Sequence, residues 1–357
     1  MAIASSRCAL AVVALTVFTA ASCSTTSETE PDAEPVARAT TSPAVTPDLE
    51  PAEFHHPIIS VREPVIERKY EAALPLFRYD RSAPLRIRKE SGSEASSDYV
   101  HHEISYESPL GGRVPASLLV PRGLGPFPAL VIQHGMPGTR SDVITEARLY
   151  AAGGVVTISI DAPFARRGRA GLAEPITFTT QDRREQIQLI VDLQRAVDLL
   201  LARNDVDPRR IAYMGISYGA AMGGLLAGIE TRISAYVLAV GDGGIVEHFT
   251  GPEDGHAPLT FLSPARRRTW LRAMEPIEPI YFIGHAAPAD LLLQSADFDE
   301  AVSEADALRY QELASEPKKV RWYASGHFLP DEARCDAAIW LRTRLAFGSS
   351  ALAPCPE

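Results

Sequence analysis

Hydrophobic positions along the chain fall into short continuous runs separated by segments with a helical repeat, and this alternation starts near residue 95. Residues 100–106 and 114–120 flank Pro109-Leu-Gly-Gly112 and predict two strands of a hairpin. Residues 129–133 and 155–160 are almost wholly apolar and end at His134-Gly135 and Asp161-Ala-Pro163, as expected for strands buried on both faces of a parallel sheet. Between them, residues 141–152 predict a helix with Ser141 as its cap and Gly153-Gly154 as its stop. Over residues 181–203, Ile187, Ile190, Val191, Val197, Leu200 and Leu201 form one stripe of a long amphipathic helix. A strand at 210–214, a helix at 217–229 and a strand at 233–240 follow. After an irregular segment with a short helix at 266–274, strands at 290–294 and 319–324 enclose a helix at 304–314, and a helix at 331–347 finishes the chain. No repeat of 20 to 50 residues is visible. The regular β, α, β order predicts an α/β fold with one mostly parallel central sheet and helices on both faces.

The 357 residues are 46% hydrophobic and 22% charged, enough to bury a large core. The net charge of −10 is uneven. Seven acids against one Arg in residues 24–53, and the single Arg7 before them, leave −5 for residues 54–357. That mild acidity, without a block of Lys and Arg, argues against a nucleic-acid partner. No Cys and His cluster has metal-ligand spacing and no glycine loop cradles phosphate, so no cofactor is implied.

The N-terminus has its own organisation. Arg7 precedes a 14-residue apolar run, residues 8–21, too short to cross a bilayer comfortably, which reads as the hydrophobic part of an export signal. It ends in Ala20-Ala21-Ser22-Cys23 and resembles a bacterial lipoprotein signal whose cysteine is acylated after cleavage; Ala20 departs from the larger aliphatic usual there. Residues 1–22 are thus read as the signal and Cys23 as the lipid site, with a lipid anchor as the membrane contact. Ordinary cleavage and secretion is the alternative. Residues 23–54, rich in Pro, Ser, Thr and acids, form a tether with too few aliphatics to fold. Residues 55–94 are a flank packing on the domain at 95–357.

Gly215-Ile-Ser217-Tyr-Gly219 follows a predicted strand and opens a predicted helix, the context in which GxSxG exposes a nucleophilic serine on a strained turn. Glycines are needed on either side because a Cβ there would collide with the neighbouring strand and helix. A serine hydroxyl needs a base, and the base an orienting carboxylate. His327 lies directly beyond the last predicted strand and is the expected base, whereas His55, His56, His101 and His102 precede the sheet core. His248, His256 and His285 lie in the irregular segment as possible pocket residues. For the acid, the turn after residues 290–294 offers Asp299, which is favoured, and Asp297; Asp290 starts that strand at the wrong end, and Asp242 follows the preceding strand. The oxyanion donors are expected to be the backbone N–H groups of Met136 and Tyr218, with His134 holding the first loop in place.

These residues resemble the α/β-hydrolase superfamily from about residue 95 to the C-terminus, and most closely its branch of dienelactone hydrolases and acetyl xylan esterases, related to the catalytic domains of prolyl oligopeptidases. The passage from Asp205 to Gly219 is similar to that branch's approach to the nucleophile. Its acid loop, GxxDxxV, corresponds to Ala296-Asp-Phe-Asp299-Glu-Ala-Val302, with Ala296 in place of the glycine. The resemblance implies Ser217 as nucleophile, Asp299 as acid and His327 as base, with hydrolysis of a small carboxylic ester through an acyl-serine. A peptidase of the oligopeptidase-related type is the alternative, though the chain has only about 40 residues between tether and first strand where such enzymes carry a propeller. A surface lipoprotein that only binds is a third reading, against which the intact Ser, Asp and His set argues.

Arg166, beyond the 155–160 strand, is a candidate clamp for an acidic substrate group, and Phe261, Trp270 and Met274 are candidates to roof an acyl pocket. Of four cysteines, Cys8 leaves with the signal and Cys23 is the lipid site. Cys335 and Cys355 remain, and in an exported protein they are expected to form a disulfide pinning the tail to the last helix. Nothing in the residues specifies an oligomeric state.

Overall fold

The polar flank ahead of residue 95 already contains regular structure. The computed structural model describes residues 59–167, 175–250 and 262–348 together with Cys355, all of them within the unit His56–Glu357. The signal and tether, with Cys23, lie outside the described residues. Helix α1 (Ile59–Ala73) is followed by strands β1 (Arg88–Ala95), β2 (Tyr99–Glu107), β3 (Arg113–Pro121) and β4 (Phe127–Gln133). Then come α2 (Ile144–Ala152), β5 (Val156–Ile160), α3 (Pro163–Arg166), α4 (Thr180–Leu201), β6 (Val206–Ile216) and α5 (Tyr218–Ala227). The chain continues with β7 (Ala235–Ala239), α6 (Ile245–Thr250), α7 (Pro264–Met274), β8 (Asp290–Ala296), α8 (Glu304–Leu313), β9 (Lys318–Tyr323) and α9 (Asp331–Leu345).

The described strands form a single sheet in the order β1-β2-β3-β5-β4-β6-β7-β8-β9. Pairs from β1 to β5 along that order are antiparallel, and those from β5 to β9 are parallel. Alternate residues of a strand point to opposite faces, and the continuous apolar runs follow from this. Val131, Tyr213, Tyr236 and Leu293 enter the core shared with α4 and α5, while their neighbours Ile132, Met214, Val237 and Leu292 enter the core under α2 and α9. Each fully buried aliphatic side chain contributes roughly 1.5–3 kcal/mol of transfer free energy.

Two expectations need correction. Strand β1, Arg-Lys-Glu-Ser-Gly-Ser-Glu-Ala, crosses the junction drawn at residue 94 and pairs as the edge of the sheet. Ser141 does not cap the next helix: a 3-10 turn, Arg140–Val143, precedes α2, and it is Thr139 whose side chain accepts from the Ser141 N–H while Asp142 accepts from the Thr139 N–H.

The flank explains why α4 is buried almost all round rather than along one stripe. Gln194 donates to the Phe77 carbonyl, Arg195 to the Ala83 carbonyl, and Tyr79 to Asp198, so residues 77–83 cover the face left polar in the amphipathic pattern. Asp192 on the same helix is fully buried. Burial pushes its carboxyl up, against the pull of Arg166, whose Nη1 lies 2.7 Å from Oδ2. Arg166 also donates twice to the Asp161 carbonyl. Its guanidinium is thereby committed to holding α3 on α4, and a substrate clamp at Arg166 does not fit this geometry.

Cys335 in α9 is bonded to Cys355, with the Cα atoms 5.4 Å apart and the two residues 20 positions apart in sequence. A loop of that size gives roughly 3 kcal/mol in the chain-entropy model. Titration of the denatured, unreduced protein should therefore find neither Cys335 nor Cys355 as a free thiol, and Cys335→Ser should lower the unfolding free energy by about 2–4 kcal/mol.

Candidate active site

The parallel strands end along one edge of the sheet, and the turns after β4, β6, β8 and β9 meet there. Ser217 occupies the turn from β6 into α5 with φ 55° and ψ −121°, the left-handed side of the map that L residues avoid. Both flanking glycines are required sterically. A Cβ on Gly215 would lie 2.2 Å from the Gly219 carbonyl oxygen, and one on Gly219 would lie 2.4 Å from the Gln133 carbonyl oxygen at the end of β4.

Ser217 Oγ lies 2.9 Å from Nε2 of His327, whose Nδ1 lies 2.8 and 3.0 Å from the two carboxylate oxygens of Asp299. With Nδ1–H donated to Asp299, the tautomer leaves Nε2 to accept the serine proton. Asp299 also accepts from the Ala301 and Val302 N–H groups, both at 2.9 Å, and its side chain is only 4% exposed. Burial pushes its pKa up, but the hydrogen bonds from His327, Val302 and Ala301 outweigh this and hold the carboxyl below its ordinary value. Asp297, two residues earlier, is exposed. Asp290 sits at the far end of β8, beside Arg344.

A neighbour of the acid shapes the histidine loop. Glu300 Oε2 accepts the His327 N–H at 3.0 Å, and Gly326 leaves room for it, since a Cβ there would lie 2.8 Å from that oxygen. The sequence singled out neither residue, although Glu300 adjoins the acid in the recognised loop.

Met136 and Tyr218 both line the cavity beside Ser217. Tyr218 is the first residue of α5, so its N–H has no acceptor within the helix and lies at the positive end of the helix dipole. The Met136 loop approaches from β4: a Cβ on Gly135 would lie 3.1 Å from that of Ser217. His134 is buried and fastens this loop, with Nδ1 2.7 Å from the Gly135 carbonyl and Nε2 accepting the Ala162 N–H at 3.1 Å. Burial lowers its pKa, which favours the neutral ring those two bonds require. Arg140 ties the same loop to Asp161 and Glu103.

The cavity has a volume of about 460 Å³. Ile176, Phe178, Ile245 and Phe249 make much of its wall, and sequence reasoning missed all four because two lie in an irregular segment and two in the six-residue helix α6, too short to show a periodic pattern. Trp270 stands behind that wall: it is fully buried, its ring centroid is 5.4 Å from that of Phe178 and 6.3 Å from that of Phe249, and Nε1 donates to Asp182 at 2.7 Å. Met274 is buried as well. Phe261 and His256 lie outside the described residues. His248 lines the cavity, whereas His285 stacks on Tyr70 with centroids 3.6 Å apart. Among the described residues no group of His, Cys, Asp and Glu could hold a metal ion, and no helix is long and apolar enough to cross a membrane.

Residues 88–241 match the family model of the acetyl xylan esterases. Comparison with curated protein sequences gives no match. Among solved structures, acetyl xylan esterase 1 from Thermoanaerobacterium sp. JW/SL YS485 is 17% identical with a TM-score of 0.60, over 82% of this chain and 99% of that one. The acetyl xylan esterase from Paenibacillus sp. R4 is also 17% identical with a TM-score of 0.60, over 78% and 94%. A 2,6-dihydroxy-pseudo-oxynicotine hydrolase is 19% identical with a TM-score of 0.53, over 80% and 74%. At these identities the structures speak for the fold. The family match adds the sequence pattern through Ser217 and supports a carboxylic-ester hydrolase; it ends before Asp299 and His327, which are brought to the serine by geometry. The chain has the α/β-hydrolase fold, and over residues 88–241 it is similar in sequence to the acetyl xylan esterase family.

Proposed function

We propose that the protein hydrolyses small carboxylic esters through an acyl enzyme on Ser217. The observation that carries this reading is the continuous hydrogen-bonded chain from Ser217 Oγ through His327 to Asp299 at the mouth of a mostly apolar cavity. In the first half-reaction His327 Nε2 takes the serine proton as Oγ attacks the ester carbon, and Asp299 stabilises the imidazolium without itself being protonated. The backbone N–H groups of Met136 and Tyr218 receive the developing oxyanion. Collapse expels the alcohol, which takes the proton from Nε2. Water then enters, loses a proton to the same nitrogen, attacks the acyl carbon and releases the acid as Ser217 is regenerated.

A cavity of about 460 Å³ lies within the range of small-molecule sites. Together with the family match, it makes acetyl and other short acyl esters the first substrates to test. The intact relay disfavours a role in binding alone. For location, we infer a lipid anchor at Cys23 that places the hydrolase at a membrane surface through its acidic tether.

Three measurements test these readings. Ser217→Ala should leave the fold intact, abolish labelling by a fluorophosphonate and reduce kcat/KM for a short acyl ester by about 10⁴-fold or more; unchanged turnover would sink the mechanism. Asp299→Asn should reduce kcat by about 10³–10⁴-fold, because an amide cannot supply the charge and can stabilise the wrong tautomer, while Asp297→Asn should change it less than about twofold, as expected for an exposed surface side chain. With its pKa held low in the fold, Asp299 contributes its charge above the ordinary carboxylate range and loses it only as pH falls through the depressed value. Finally, the full-length protein should fractionate with membranes and Cys23→Ser should release it; a wild-type protein that is already soluble and carries no acyl group would contradict the anchor.

A further inference from the structure

The turns carrying Asp299 and His327 are joined by more than the bond between those two side chains. Past the last register pair of β8 and β9, Ala296 with Tyr323, the Asp297 N–H donates to the Tyr323 carbonyl at 2.9 Å and the Phe298 N–H to the Ser325 carbonyl at 3.0 Å. The next two contacts are made by consecutive side chains. Asp299 takes the His327 ring at Nδ1, and Glu300 Oε2 accepts the His327 backbone N–H at 3.0 Å. That hydrogen bond is the first cause holding the Glu300 carboxyl below its ordinary value. A ring held at Nδ1 alone can still swing with its own main chain, and packing does little to prevent this, since the next residue, Phe328, is 85% exposed. Gly326 supplies a second, independent observation. Its φ lies outside the left-handed region. A Cβ there would lie 2.8 Å from Glu300 Oε2, whereas the Phe298 carbonyl oxygen would be at an ordinary contact of 3.6 Å. The glycine is accounted for by the carboxylate and not by a backbone conformation.

We propose that Glu300 is a positioning residue for His327: its carboxylate fixes the main chain at the histidine so that Nε2 stays within hydrogen-bond reach of Ser217, and residue 326 is glycine to admit it. The proposal rests on the ester-hydrolase reading, in which His327 takes the serine proton. Glu300 touches none of the reacting atoms and acts through His327. What it supplies is an acceptor for one N–H, a task that an amide oxygen also performs. Misplacement of a reacting group by about 1 Å can cost on the order of 10²-fold in rate. The loss therefore falls on kcat and on the reactivity of Ser217, and leaves ester binding and global stability little changed.

The test is a double-mutant cycle. Wild type, Glu300→Ala, Glu300→Gln, Gly326→Ala and the Glu300→Ala/Gly326→Ala double variant are compared for kcat and KM on one short acyl ester, for the rate of fluorophosphonate labelling at Ser217, and for Tm. Glu300→Ala should lower kcat and the labelling rate together by about 10- to 100-fold, with KM and Tm little changed, and Glu300→Gln should recover most of that loss. Gly326→Ala displaces the carboxylate without deleting it, so it should reproduce the loss, and it keeps the test available should Glu300→Ala not fold. The double variant should be no slower than either single one, because the added methyl group then has nothing to displace. Wild-type rates in Glu300→Ala would overturn the proposal. So would a Glu300→Gln protein as slow as Glu300→Ala, losses that multiply in the double variant, or a loss confined to KM or Tm. Labelling needs no ester: a wild type that labels but hydrolyses none removes the ester-hydrolase reading, while the labelling rates still decide the role of Glu300. A wild type that does neither removes both.

Discussion

The close approach of three backbones around Ser217 is the constraint on which the rest of the structure depends. The turn at Ser217 requires a backbone conformation that costs of order 1–3 kcal/mol, and it persists only because its surroundings leave no alternative. The Ser217 N–H is held by the Ala239 carbonyl of β7 at 2.8 Å, and the Ser217 carbonyl accepts from Ala220 and Ala221 in the first turn of α5. Two buried tyrosines reach in from the core: Tyr213 donates to the Gly219 carbonyl at 2.6 Å and Tyr310 to the Ala220 carbonyl at 3.1 Å. Replacing either glycine would force β4, β6 and α5 apart, so the placement of one hydroxyl depends on the registers of the central strands.

Those registers also decide which turns meet. β6 pairs with β4 on one side and β7 on the other, with Gly215 opposite Gln133 and Leu238. The loops carrying Met136 and Asp242 are therefore brought to either side of Ser217. β8 and β9 extend the same edge, with Ala296 opposite Tyr323, which brings the turns carrying Asp299 and His327 together. A parallel sheet with its turns gathered at the carboxyl ends makes such convergence a property of topology, so residues more than a hundred positions apart can form one reacting group.

Much of this was legible because the relevant signals are local or periodic. The two-sided burial of β4 to β8 produces continuous apolar runs, and the glycines around Ser217 record a collision that any other residue would suffer. The parts that escaped have no such signature. β1 is an edge strand, where backbone pairing alone suffices and no apolar face is required, so Arg88–Ala95 carries no strand pattern and fell largely within the flank. The aromatic wall of Phe178 and Phe249 is assembled from an irregular segment and the single short helix α6. Arg166 shows the reverse error: an arginine beyond a strand end reads as a ligand clamp, but the partner that claims it, Asp192, sits on the buried side of a helix that looked amphipathic only because residues 77–83, which cover it, carry no pattern of their own.

The fold provides two turns from which a carboxylate can approach the edge where the serine lies, after β7 and after β8, and this chain fills both. What separates them is distance along the sheet. The β8 turn is bonded directly to the histidine loop, with Asp297 N–H donating to the Tyr323 carbonyl and Phe298 N–H to the Ser325 carbonyl, so backbone hydrogen bonds tie the turn of Asp299 to the loop of His327. Asp242 stands one strand further in, and the short helix α6 returns His248 to it before it could serve any other ring. Two carboxylates at one edge of the sheet would compete for the same imidazole if either lacked a partner. Giving each its own histidine removes that competition: Asp299 is bonded to His327, and the Asp242 carboxylate is compensated by His248.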